Sequence, residues 1–95
     1  MSLKQEFNAS VIYQLHSNPP RLGLHSKELG YTEIYLGDLD LTQDEIDALC
    51  DAQNVTGTFE LRDEPKAIYV INEAAKDPSK GMQNSAWKVK SIKPA

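Results

Sequence analysis

Residues 7–15 alternate between apolar and polar at period two: Phe7, Ala9, Val11, Tyr13 and Leu15 fall on one face, and Asn8, Ser10 and Gln14, followed by His16, fall on the other. Ile12 is the single break in the alternation. That period predicts a long strand buried on one side only, and such a strand needs a sheet to lie in and a layer to cover its apolar face. Asn18-Pro19-Pro20 ends it, because consecutive prolines fix φ and remove ladder donors.

Leu22-Gly23-Leu24 opens a second extended stretch, Leu29-Gly30 signals a turn or bulge, and Tyr31–Leu36 is rich in strand formers and alternates again. Gly37-Asp38 breaks that strand, and one convincing helix follows. Thr42 stands three residues before Glu45, the spacing of a capping box in which hydroxyl and carboxylate each satisfy a free backbone N–H. Asp44, Glu45 and Asp47 crowd the first turns, where the helix dipole favours negative charge. Ile46, Leu49 and Cys50 share one face, which is therefore expected to be buried, and the helix should end near Gln53-Asn54.

Three further strands are expected. Val55–Arg62 alternates, with Gly57 disturbing the phase, and Asp63-Glu64-Pro65-Lys66 reads as a tight connection. Ala67–Ile71 is a continuous apolar run, as in a strand covered on both faces. Residues 72–84 read as a long polar loop with one helical turn at Glu73–Lys76, and loops of that length often carry function. Ala86–Ile92 is the last strand, with Trp87 and Val89 on one face and Lys88 and Lys90 on the other. Residues 1–6 read as an N-terminal tail and 7–95 as a single β-rich domain. The resulting β-β-β-α-β-β-β order predicts a mainly β domain with one helix, built as a small OB-like Greek-key barrel. An α+β curved sheet with one helix packed across it would use the same elements.

Ninety-five residues allow one domain with a modest core. No apolar run approaches the 18 or so residues of a membrane span, and the absence of a basic-then-apolar leader predicts a cytoplasmic protein. One cysteine makes no internal disulfide. The net charge of −4 averages over unlike segments. Residues 1–37 are neutral, residues 38–64 hold nine acids against Arg62 alone, and residues 65–95 hold six lysines against Glu73 and Asp77. An acidic middle and a basic end can steer, bind or repel partners.

Catalytic signals are weak. Asp38-Leu39-Asp40-Leu41-Thr42 matches the short D-x-D-x-T pattern of haloacid-dehalogenase-like phosphotransferases, but that chemistry needs further residues from a much larger α/β domain, and the segment is better read as the approach to the helix cap. A calcium loop starting at Asp38 would place Gln43 and Leu49 where Gly and Glu are required. Cys50 has acidic neighbours, which raise a thiol pKa, and reads as core packing. His16 and His25 lack metal-ligand spacing, and no Gly-rich phosphate loop or nucleophile elbow occurs. The sequence therefore predicts a non-enzyme with no catalytic residues, no metal and no cofactor.

Binding is the better reading. Single-stranded nucleic acid is held by aromatic faces that stack on bases, beside Lys and Arg that track phosphates. Tyr31, Tyr35 and Tyr69 on predicted strands supply the rings. Arg21 and Lys27 near the second strand, Lys76 and Lys80 in the long loop, and Lys88, Lys90 and Lys93 at the end supply the charge. Tyr13 and Trp87 share faces with apolar residues and read as core. The ending Ala86-Trp87-Lys88-Val89-Lys90-Ser91-Ile92-Lys93-Pro94-Ala95 resembles the last strand of the small single-stranded-DNA-binding proteins of filamentous phages. The resemblance covers about ten residues and implies a phage-like origin and a dimeric barrel closing on a basic strand. This chain departs from that family in its acidic helix and net negative charge, which disfavour indiscriminate DNA coating. The competing reading is an acidic protein-interaction or inhibitor module, docking a basic partner through Asp44, Glu45, Asp47 and Asp51 of the 42–53 helix.

Overall fold

The alternation at the N-terminus does form a strand, and the apolar side of its first part, Phe7, Ala9 and Val11, faces the core. The computed structural model describes residues 3–95; Met1 and Ser2 of the expected tail lie outside the described residues. Strand β1 spans Lys4–Leu15, β2 Arg21–Ser26, β3 Gly30–Tyr35, β4 Asn54–Tyr69 and β5 Met82–Pro94. Helix α1 spans Gln43–Asp51 and a short α2 spans Ile71–Lys76. The strands form one antiparallel sheet in the order β3-β2-β1-β4-β5. Lys4, Gln5 and Glu6 pair with Glu60, Phe59 and Thr58, so strand pairing begins ahead of the alternation, at residues read as tail.

Ile12, the break in the alternation, is a β-bulge. Val11 opposes Leu24 and Tyr13 opposes Gly23, which leaves Ile12 without a partner. One extra residue reverses the facing of everything after it. Phe7 and Ala9 are buried, whereas Tyr13 is carried to the opposite face, that of Gly23 and Glu33. The expectation that Tyr13 belongs to the core is thereby corrected. Its ring occupies the space where a side chain on Gly23 would project, so that position requires glycine.

The expected six strands are five. Val55–Arg62 and the later apolar run belong to one strand, because β5 pairs with both parts of β4. Leu61 opposes Trp87 and Lys66 opposes Ser85, so residues 62–65 bow out against Ala86 alone. Pro65 has no N–H to give a ladder, which suits it to such a bulge. Nor is residues 67–71 covered on both faces: Ile68 and Val70 are buried, while Tyr69 and Ile71 are exposed. The polar 72–84 segment does hold a helical turn, within α2, followed by a 3₁₀ turn at Pro78–Lys80.

Helix α1 begins as its sequence dictates. Thr42 Oγ1 accepts from the Glu45 amide at 3.2 Å, and Glu45 Oε1 accepts from the Thr42 amide at 3.0 Å. Leu49 is buried, and Ile46 and Cys50 pack at the edge of the core. Replacing Thr42 by alanine should cost about 1 kcal/mol, read as a lowered midpoint in urea unfolding; an unchanged midpoint would show that the cap contributes nothing.

Phe7 meets the rings of Phe59 and Trp87 edge-on, at centroid distances of 5.6 and 4.9 Å, and Trp87 packs, partly buried, against the core. Leu22, Leu24, Ile34, Leu36, Val55, Val89 and Ile92 complete the same cluster. The sheet curls until its two edges meet. Thr32 Oγ1 of β3 donates to the Trp87 carbonyl of β5 at 2.9 Å, and Ser85 Oγ donates to Thr32 Oγ1 at 2.8 Å. No backbone ladder joins β3 to β5 among the described residues, so the sheet is not closed.

Candidate nucleic-acid interface

The alternation that buries Leu22, Leu24, Thr32 and Ile34 turns Arg21, Gly23 and His25 of β2, and Tyr31, Glu33 and Tyr35 of β3, to the outer face. Cross-strand register then sets the contacts. Arg21 opposes Tyr35, Gly23 opposes Glu33 and His25 opposes Tyr31. Arg21 Nη1 donates to the Tyr35 hydroxyl at 3.1 Å, with the guanidinium 5.2 Å from the ring centroid. Glu33 lies 3.5 Å from Arg21 and accepts from the Tyr13 hydroxyl. His25 and Tyr31 stack in a tilted arrangement at 4.4 Å. Burial, followed by the neighbouring Glu73 carboxylate, holds the Tyr31 hydroxyl above its ordinary pKa.

The upper part of β4 forms the facing wall. Leu15, Arg21, Glu33 and Tyr35, together with Lys66, Tyr69 and Ile71, line a groove of about 390 Å³. A second cavity of about 660 Å³ shares Glu33, Tyr35 and Lys66 with it, and adds Arg62, Lys88, Lys90, Asp38 and Asp40. Lys88 is brought there by the alternation of β5. Lys90 is an extra residue in its ladder, since Phe59 opposes Val89 while Thr58 opposes Ser91. That bulge lets Val89 and Ile92 both face the core.

Of the residues expected to bind nucleic acid, Arg21, Tyr35, Tyr69, Lys88 and Lys90 are therefore gathered along two adjoining cavities, while Tyr31 shares their face of β3 but lines neither cavity and stacks on His25. Others lie apart. Lys27 lines a shallow depression near the β2–β3 turn with Asn8, Ser10 and Asn54. Lys76 pairs with Glu73 at 3.7 Å on α2, and Lys80 sits in the 3₁₀ turn. Lys93 lies beside Asp44 and Glu45 of α1, in a different depression. Sequence reasoning passed over Arg62, Lys66 and Tyr13. Ile12 was the available signal for Tyr13, whereas Arg62 precedes and Lys66 ends a stretch whose local pattern reads as a turn and becomes strand only through pairing with β5.

The acidic face of α1 is less free than its sequence implies. Glu45 is engaged in the capping box, and the Thr42 amide, then its hydroxyl, hold its carboxyl below the usual range. Asp47 accepts from Gln43 Nε2 at 2.9 Å, while Asp44 and Asp51 are exposed. Burial, more than the neighbouring Asp47 and Asp51, pushes the Cys50 thiol up, away from the reactive thiolate. No helix among the described residues is long and apolar enough to cross a membrane. No protein-family model, curated protein or solved structure matches this chain.

Proposed function

We propose that this chain is a small non-catalytic, cytoplasmic protein that binds single-stranded nucleic acid across the outer face of β2 and β3 and the facing part of β4. One observation carries the reading: exposed Tyr35 and Tyr69 line a groove with Arg21 and Lys66, and that groove adjoins a cavity holding Arg62, Lys88 and Lys90. Rings that stack on bases beside cations that meet phosphates are what sequence-tolerant single-strand binding requires. The strand order, with α1 between β3 and β4 and the β3 and β5 edges touching through Thr32, supports an OB-like barrel, a fold that uses this region for oligonucleotides. The resemblance of residues 86–95 to the last strand of phage single-stranded-DNA-binding proteins points the same way. Glu33, Asp38 and Asp40 share the cavities with the cations, which favours modest, salt-sensitive affinity over indiscriminate coating.

Fluorescence anisotropy of labelled oligo-dT tests this at low salt. The wild-type chain should bind, and the double variant Lys88→Glu, Lys90→Glu should lose most of the affinity. For each phosphate contact removed, the slope of log K against log salt should fall by about 0.7. An anisotropy that stays flat for the wild-type protein at tens of micromolar sinks the proposal.

A further inference from the structure

Arg62 stands where β4 leaves its ladder, the first of the four residues bowed out opposite Ala86. Its side chain lines the larger cavity, and its Nε is shielded from solvent with no hydrogen-bond partner. A buried donor on a charged group without an acceptor is costly and uncommon in folded proteins. The nearby acids do not relieve it: among the described residues the ion pairs are Arg21–Glu33 and Lys76–Glu73. The same cavity holds Lys66, Lys88 and Lys90.

From this geometry we infer that Arg62 is the seat of a phosphoryl group, steadied by Lys66, Lys88 and Lys90. The inference rests on the nucleic-acid reading and names the point where the strand's backbone is gripped. The terminal nitrogens of the guanidinium, which are not shielded as Nε is, match two phosphoryl oxygens at once. The charge count selects the kind of phosphate. Four cations against Glu33, Asp38 and Asp40 leave the lining with a net charge of +1, which suits the single charge of a phosphodiester better than a free dianion. Tyr35 lines both cavities, so a phosphate on Arg62 lies beside a ring on which its own nucleotide can stack.

Arg21 and Arg62 are the chain's two arginines, so their Nε–H resonances are resolved and assigned by nitrogen-15 NMR of the wild type and of Arg62→Lys. Oligo-dT should shift the Arg62 resonance strongly, and inorganic phosphate at the same concentration should shift it weakly. Arg62→Lys keeps the charge but lacks the fork, and should bind oligo-dT about tenfold more weakly, as expected for one lost charge-assisted hydrogen bond, with an unchanged circular-dichroism spectrum. If oligo-dT binds while the Arg62 resonance stays still and Arg62→Lys binds like wild type, the phosphate seat is overturned and the nucleic-acid reading stands. If inorganic phosphate shifts the resonance but oligo-dT does not bind, the seat holds for a free phosphoryl group and the nucleic-acid reading falls. If neither ligand moves it and oligo-dT does not bind, both are overturned.

Discussion

Replacing Tyr35 and Tyr69 together by alanine should weaken oligo-dT binding by about thirtyfold or more while leaving the fold intact. Each base stacked on an aromatic face contributes about 1–3 kcal/mol, so losing two platforms removes roughly 2–6 kcal/mol of binding. The fold should tolerate the change because the rings are 38% and 56% exposed and add little to the core. Tyr35 also accepts a hydrogen bond from Arg21, so two contributions must be separated. Tyr35→Phe keeps the stacking surface and removes only the hydroxyl, and should retain most of the affinity. Anisotropy titrations of the two variants against wild type, each checked by circular dichroism, measure this. A double variant that binds within about threefold of wild type, less than one stacked base is worth, would show that the rings are not the platform.

Phe59→Ala should produce the largest loss of stability from a single substitution. Phe59 is completely buried and meets Phe7 edge-on, and removing such a ring costs about 3–5 kcal/mol through lost transfer energy and the cavity left behind. For a domain whose whole stability is about 5–15 kcal/mol, that loss leaves a substantial unfolded fraction or a sharply lower urea midpoint. Trp87, the one tryptophan, lies against Phe7 in the same cluster, so its emission reports the transition directly. Leu61→Ala is the control, since Leu61 is two residues along the same strand but exposed, and it should change stability by no more than about 0.5 kcal/mol. Equal and small losses for the two variants would contradict the position of the core.

Much of the architecture was legible because it depends on local chemistry. Thr42 and Glu45 lie three residues apart, and that spacing alone suffices for the reciprocal cap that starts α1. Alternation placed Phe7 and Ala9 inside, Lys88 outside, and Trp87 among the apolar residues. The aromatic and cationic pieces of the proposed interface are legible in residue type and strand phase, which single out Arg21, Tyr35, Tyr69, Lys88 and Lys90. Lys27, Lys76, Lys80 and Lys93 were named on the same grounds and lie elsewhere, because residue type does not reveal which ends of a curled sheet come together.

What the chain's residues determined by themselves was the local repertoire: a β-rich domain, one capped acidic helix, and a basic terminal strand. Tertiary structure decided everything that depends on register. A bulge at Ile12 moved Tyr13 from the expected core to the outer face, over Gly23, because a shift of one residue reverses the facing of all that follows. Pairing with β5 turned the apparent connection at residues 63–66 into part of a single long strand, and that continuity brought Arg62 and Lys66 to the cavities beside Tyr35. Hydrogen bonds between strands distant in sequence leave no trace in the pattern of either strand alone, so the groove existed only once the sheet had curled.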